Sequence, residues 1–419
     1  MEINKSKSIV FVMPRLPFPT VSGRKTSLYH YCRILSEELG YKLIVAAFLE
    51  TGDDPKLKPD FIDELVILEK PSQAEKLSNI VFNSLVKAKY PLQVSLFMSK
   101  RAMLQVQQLV KREKPVAVIA DMVRCTEYIK DINTFRIADL DDRISLRYKR
   151  QLYSDLDSIN PYGAFINTIP QFIQKIALLK PIKVGVLKRE IKLLNDYEIA
   201  IGKICERTVF VAQKEAEGFN KEIGENRAID IPIGVDIDFF SPMQKVSKEN
   251  VIAFLGALNV AHNENAVINF IENIFPEILL KNPDVVFCVI GGGASEKLLS
   301  YSSNNIKFTG RVKDVREYLA KSKVFVCPML FGSGIKTKNL EAMAMGLPIV
   351  TTSIGAENIS ATNGVEWYVE DEPKKFAASV LRLLNDEHLQ KKCSINARKY
   401  ILDNYTWNIA KDKFMSLLN

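Results

Sequence analysis

The 419-residue chain has no C-x-x-C pair, no block of like charge and no apolar run near the roughly 18–20 residues that cross a bilayer. Its six cysteines, at 32, 125, 205, 288, 327 and 393, stand far apart, most of them in apolar surroundings such as Phe287-Cys288-Val289. That pattern gives neither a disulfide framework nor a zinc site, and it fits buried thiols in a reducing cytoplasm. The three histidines, His30, His262 and His388, show no metal-ligand spacing. No Ser-His-Asp or Cys-His arrangement is evident, which argues against hydrolysis through a protein nucleophile. Without zinc-finger spacing, an RNP-like strand or a Lys/Arg tail, nucleic acid is not an expected partner. Ile9–Met13 is too short for a secretory core and reads as a first strand.

What is present points to an α/β protein of more than one domain. An apolar content of 47% and a charged content of 25% are those of an ordinary globular chain, and 419 residues exceed what one core usually organises. The net charge of +8 asks for an anionic partner, met by a nucleotide or an acidic membrane surface. Short, continuous, β-branched runs occur at Ile9–Met13, Leu43–Phe48, Leu65–Leu68, Val116–Ala120, Arg136–Leu140 and Thr208–Val211. A second series follows at Val251–Leu255, Val285–Ile290, Ile306–Thr309, Val324–Cys327 and Ile349–Thr351. Such runs suit strands buried on both faces of a parallel sheet. Between them lie helical patterns, as at Val267, Phe270, Ile271, Ile274 and Ile278, and the alternation predicts doubly wound α/β domains. The seam falls near Gly234–Pro242, before a polar linker at Gln244–Asn250.

The stretch from Arg143 to Arg207 interrupts the alternation with helical segments containing Pro161, Pro170 and Pro181. Its stripe of Leu187, Ile191, Leu194, Ile201 and Cys205 includes Glu198, which is expected at the edge of a contact because glutamate is rarely buried unpaired. The mixed aromatic and basic residues between Tyr148 and Lys188 read as a helical cap over the first domain, with a membrane-surface patch as the alternative.

The most informative segment is Phe331–Thr352, FGSGIKTKNLEAMAMGLPIVTT, directly after an apolar strand. Gly332 and Gly334 permit backbone geometries closed to other residues and a close approach of a ligand to the main chain. The following helix offers unpaired N–H groups and the positive end of its dipole, which suit a phosphate, and Lys336 adds a full charge. Glu341, further along the helix, is an acceptor for a pair of sugar hydroxyls. Gly346 closes the helix and Pro348 prevents its continuation. The plainer reading is a tight strand-to-helix connection with a dipole-offsetting glutamate.

Across nearly its full length the chain resembles a GT-B glycosyltransferase of the large retaining family 4, common in bacterial capsule, exopolysaccharide and lipopolysaccharide assembly. The resemblance rests on MPRLPFPTVSG (13–23), IPIGVDIDFFSP (231–242), VIAFLGALNVAHN (251–263), IKFTGRV (306–312) and EAMAMGLPIVTT (341–352), which occur in the family's order. Tyr405-Thr406-Trp407 and the helix after them are similar to the family's segment that crosses back onto the first domain. The resemblance implies two Rossmann-like domains facing across a cleft: an acceptor-side domain at 1–240 with the helical insert at about 143–207, a donor domain at 241–402, and a returning helix at 403–419. It implies a nucleotide-diphospho-sugar donor, a sugar or lipid-linked glycan acceptor, and no metal or other cofactor.

By the same resemblance Glu341 would hold the donor ribose, with the backbone of Gly332, Ser333, Gly334 and Ile335 and the side chain of Lys336 near the diphosphate. Arg311 and Val312 would contact the base through their main chain, and Gly23 would allow close approach to the donor. Two departures matter. Ser333 stands where many members carry a first glutamate, and Ala257, His262 and Asn263 occupy the loop in which many carry arginine and lysine. Lys336 would then supply the positive charge, assisted by Lys338, Arg24 or Lys25, with Gly256 and Gly291 lining the donor side. Asp141 and Asp142, at the end of a first-domain strand, are acceptor-side candidates, and a helix N-cap is the other reading.

Asp-x-Asp occurs at 139/141, 155/157 and 236/238, too often to nominate a metal site, and no further ligands accompany it. The triplet Gly291–Gly293 lacks dinucleotide-fingerprint spacing but follows a strand, where a cleft-lining role is open. The expected function is transfer of a sugar with retention of configuration. The alternative is a non-catalytic GT-B-like sugar-binding or partner protein. The expected location is cytoplasmic, with peripheral attachment at the inner face of the plasma membrane kept open.

Overall fold

A computed structural model describes residues 6–419 apart from 21–22, 155, 157–161, 163–165, 167–170, 244–245 and 333. The chain divides into two compact units, one of residues 1–232 with 408–419 and the other of residues 233–407. The first division falls at Pro232/Ile233 rather than at 240, and the second at Trp407/Asn408 rather than at 402.

The first unit is built on a seven-stranded sheet: β1 (Ser8–Met13), β2 (Lys42–Ala47), β3 (Glu64–Ile67), β4 (Ala117–Asp121), β5 (Phe135–Asp141), β6 (Arg207–Phe210) and β7 (Ala228–Asp230). The order is β3-β2-β1-β4-β5-β6-β7, with every pair parallel. All six residues of β1 are buried, as expected of a strand covered on both faces. Connections leave β1 toward β2 on one side and β4 on the other. The carboxyl ends of β1 and β4 are therefore a topological switch point, the place where open α/β sheets bind ligands.

A 25-residue helix, Lys180–Ile204, packs Leu187, Leu194, Tyr197 and Ile201 into this unit's core. Pro181 sits in its first turn, where its missing N–H costs nothing. Glu198 is not at an edge: it is 1% exposed and pairs at 3.2 Å with Arg143, itself 2% exposed. The same carboxylate accepts from the Ser145 backbone N–H (3.1 Å) and hydroxyl (2.5 Å), so the start of the helix Ile144–Ser154 is capped from another helix. The expectation failed because sequence shows a lone acid on an apolar stripe but not the partner 55 residues away. The final helix, Trp407–Leu418, contributes Phe414, whose ring meets Tyr31 edge-on at 5.0 Å, and Lys413, 2.9 Å from Asp230.

The second unit holds a six-stranded sheet: β8 (Val251–Leu255), β9 (Val286–Ile290), β10 (Ile306–Phe308), β11 (Val324–Cys327), β12 (Ile349–Thr351) and β13 (Tyr368–Val369). Its order is β10-β9-β8-β11-β12-β13, again parallel throughout, with the switch point at β8 and β11. Helical residues run from Ala261 to Lys281, with Val267, Phe270, Ile271, Ile274 and Ile278 all buried. The 233–242 segment is tied to the unit's end: Val235 donates to the Tyr405 carbonyl (2.7 Å), and a side chain at Gly234 would collide with the Trp407 ring at 2.3 Å. Among the described residues no helix is long and apolar enough to cross a membrane.

Candidate functional site

In the second unit the loops after β8, β9, β10 and β11 close on one another. Gly256, which follows β8, donates to the Ile290 carbonyl (3.0 Å), and Leu258 donates to the Gly292 carbonyl (2.8 Å). Gly291 has φ +142°, and a Cβ there would lie 1.9 Å from the Gly256 carbonyl oxygen. Its backbone also bridges Gly310. Gly291 is thus required for loop closure, while Gly292 lies against the Arg311 backbone and Cβ. Arg311 is exposed and Val312 is half-buried against the core.

The turn after β11 carries Gly332 at φ +112° and Gly334 at φ +77°, both in the region that disfavours a side chain. His262 lies beside Gly332: a Cβ built on the glycine would sit 3.7 Å from the histidine Cβ. Ile335 packs on the core, and Ser333 lies outside the described residues. The helix Thr337–Ala344 follows, with Lys336 at its N-cap and no side chain capping its first N–H groups. Lys336 is buried (7% exposed) and donates to the Gly334 carbonyl at 2.8 Å. Gly346, at φ +68°, ends the helix.

Lys338 reaches back over Gly256. Its ammonium donates to Asn263 Oδ1 (2.5 Å), lies 4.5 Å from the centre of the Phe254 ring, and sits where a Cβ at position 256 would fall. Asn263 in turn donates to the Ala257 carbonyl (2.9 Å). Burial pushes the Lys338 ammonium below its usual range, and the charge of Lys336 acts in the same direction. Glu341 is half-buried, and burial raises its carboxyl to about 7 against the weaker pull of Lys338. Among the described residues no hydrogen bond or ion pair engages that carboxylate. The result is two ammonium groups, an uncapped helix start and an unpartnered acceptor at the carboxyl ends of β8 and β11. Thr351 and Thr352 support it without having been singled out: their hydroxyls donate to the Cys327 (3.0 Å) and Met329 (2.6 Å) carbonyls and hold the chain leaving β11. The Thr-Thr pair closing the apolar run of β12 was the available signal.

The first unit corrects several expectations. Arg24 is not free to meet a phosphate. Its guanidinium lies 2.5 Å from Asp121, 2.7 Å from Asp139 and 3.0 Å from Asp141, and its side chain is 10% exposed. Lys25 is likewise held by Asp53 at 2.5 Å, both buried. Burial outweighs the attraction of Arg24 and raises Asp139 to about 7, with the neighbouring carboxylates pushing the same way. Burial raises Asp121 as well, and its Oδ2 has no hydrogen-bond partner. Asp141, at φ +65°, belongs to this cluster, whereas Asp142 pairs with Arg147 at 3.0 Å. The Ser145 N–H at the start of the helix that follows is taken by Glu198. Gly23 opens the helix Gly23–Arg33, and a Cβ there would meet nothing within 4 Å. Asp236 accepts from the Phe239 N–H (2.9 Å) and so fixes a turn, while Asp155 and Asp157 lie outside the described residues.

Comparisons with known proteins agree with this architecture. The profile of the family "Glycosyl transferases group 1" matches residues 249–386. An "Uncharacterized 44.6 kDa protein in cps region" of Klebsiella pneumoniae is 25% identical over 215 residues, covering 49% of this chain and 54% of that one. The "Capsular polysaccharide biosynthesis glycosyltransferase CapM" of Staphylococcus aureus is 24% identical over 178 residues, covering 38% and 47%. The chain thus spans about half the length of the curated relatives it matches. Among solved structures, sucrose-phosphate synthase from Thermosynechococcus elongatus superposes with a TM-score of 0.68 at 12% identity over 98% of both chains. HepE from Anabaena, solved in complex with UDP and glucose, gives 0.61 at 12% identity over 98% and 99%. The protein therefore has the GT-B fold and carries a glycosyl transferases group 1 domain over residues 249–386.

Proposed function

We propose that the protein is a glycosyltransferase that takes a sugar from a nucleotide-diphospho-sugar and places it, with retention, on a hydroxyl of a sugar or lipid-linked glycan acceptor. The observation that carries this reading is the unpartnered Glu341 carboxylate, set on the helix whose uncapped start bears Lys336. A carboxylate lacking donors suits two vicinal ribose hydroxyls. The helix start and the ammonium groups of Lys336 and Lys338 suit the diphosphate, whose charge grows as the sugar leaves. The HepE complex with UDP and glucose supports a nucleotide-sugar of that kind. In this reading the cations and the helix end do the work a divalent ion does elsewhere, and a donor phosphate oxygen takes the acceptor proton. In the same reading the backbone N–H groups of Gly332 and Gly334, where no side chain stands in the way, would donate to the diphosphate.

A peripheral place at an anionic membrane belongs to the same reading. Leu77, Phe82, Leu85 and Val86 are each more than half exposed, with Lys87 and Lys89 exposed beside them. Apolar side chains flanked by lysines bind interfaces of acidic lipid.

The test is to incubate the purified chain with a panel of nucleotide-sugars and glycan acceptors in excess EDTA, following nucleotide release and the anomeric configuration of the product by NMR. Transfer with retention in EDTA is expected. A chain that binds none of UDP, GDP or ADP, alone or as sugar conjugates, removes the proposal.

A further inference from the structure

The carboxyl end of the first unit's sheet holds a cavity of about 490 Å³. Pro14 follows β1, Phe48 follows β2, Lys70 lies past β3 and Arg124 past β4, so the cavity stands at this sheet's switch point. Its charge is one-sided. Lys70, Lys76 and Arg124 line it, and among the described residues none of the three has a carboxylate within ion-pair distance. Glu50, the acidic residue of the lining, faces Arg15 at 3.8 Å.

Arg124 is pre-set for recognition. Its Nε donates to Gln93 Oε1 (2.9 Å), its guanidinium lies 5.1 Å from the centre of the Phe97 ring, and Gln93 is fixed by donating to the Tyr148 hydroxyl (3.1 Å). The two terminal nitrogens, which have no partner among the described residues, form the fork that grips two oxygens of one anion. Lys76 is half-buried, and burial together with the charge of Lys70 lowers its ammonium, a strain that an anion between them relieves. Three cations from three elements exceed what one carboxylate can satisfy and match a phosphate dianion. Phe48, Leu96 and Phe97 give the cavity an apolar stretch of wall, and the helical run continuing from Lys76 exposes Leu77 and Phe82.

We infer that this cavity binds the phosphate of an acceptor in which phosphate is joined to a hydrocarbon chain. The inference rests on the transferase reading above and names the acceptor class. Arg124 grips the phosphate oxygens, Lys70 and Lys76 neutralise it, and the chain runs along the apolar wall.

The experiment is titration calorimetry of the full chain with geranyl phosphate and with short-chain phosphatidic acid, which separate a prenyl from a glycerolipid source. Geraniol, inorganic phosphate and galacturonate are the comparisons, and UDP is titrated separately. At least one lipid phosphate is expected to bind at least about tenfold tighter than any comparison ligand. Its Kd should rise about tenfold in Arg124→Gln and about fivefold in Lys76→Ala, with UDP affinity kept in both. Lys76 is only half-buried, so its variant stays informative if Arg124→Gln misfolds. Unchanged lipid-phosphate affinity in the folded variants overturns the inference, as does displacement by UDP or equal affinity for galacturonate. Failure of the wild-type chain to bind any nucleotide strikes instead at the transferase reading.

Discussion

The ammonium of Lys338 occupies the space above Gly256 that a methyl group would need, 2.9 Å from the position of its Cβ. Gly256 is thus a seat for a cation as much as a turn. Gly256→Ala is expected to fold, because the flexible lysine can swing aside, and to weaken UDP binding about fivefold. Gly291→Ala differs in kind: its Cβ would strike the fixed Gly256 carbonyl, at a φ that side chains resist, and should cost more than about 2 kcal/mol. Thermal melting and UDP titration of both variants separate the two effects. Equal melting temperatures would contradict this account of Gly291.

Glu341 makes the donor side pH-dependent. Its folded pKa of about 7 exceeds the ordinary glutamate value, so its contribution to stability is complete at low pH and lost as pH rises through 7. Glu341→Gln removes that dependence. Between pH 4 and pH 8 the wild type should lose up to about 3 kcal/mol relative to the variant in urea unfolding. Ribose hydroxyls favour the ionised form, so wild-type affinity for UDP-glucose, whose diphosphate has no ionisation in this range, should rise between pH 6 and pH 8 and that of the variant should stay flat and lower. A flat wild-type profile speaks against hydroxyl recognition at Glu341.

Arg24 holds three carboxylates together, and its loss should be felt as instability before anything else. Arg24→Gln is expected to cost about 3–5 kcal/mol at pH 8. The cost should shrink toward pH 5, because Asp121 and Asp139 have folded values raised above the unfolded ones and take up protons as the pH falls. A variant of wild-type stability with selectively weakened UDP binding would instead return Arg24 to the donor.

The buried Arg143–Glu198 pair gives a prediction remote from any ligand. Glu198→Ala leaves the buried Ser145 N–H and hydroxyl without their acceptor and takes from Arg143 one of its two carboxylates, Glu222 remaining at 2.6 Å, and should cost about 2–3 kcal/mol, whereas Glu198→Gln, which still accepts from Ser145, should cost less. Urea midpoints of the two variants decide it.

Most of the architecture is legible in the sequence because central strands such as β1, β8, β9 and β11 carry continuous apolar runs, a pattern that suits a sheet covered on both faces. β7 and β13 escaped since they are three and two residues long, too short for any periodicity to show. The glycine turn, Lys336 and Glu341 could be read because they lie within one short segment. The neutralisation of Arg24 could not: Asp121 is 97 residues away, and only folding reveals that β4 and β5 end beside the first helix. Likewise Gly291 reads as ligand-lining until Gly256 is seen against it.

The first unit is discontinuous in the chain, and this has a consequence for biosynthesis. Tyr31 acquires its ring partner, Phe414, only when residues 408–419 have left the ribosome, after the whole second unit has been made. At about 5–20 residues per second, the nascent amino-terminal unit waits tens of seconds with that flank uncovered. What begins folding first is completed last, so a fragment ending at Pro232 lacks the segment that completes its own unit, whereas residues 233–407 form the other unit without interruption.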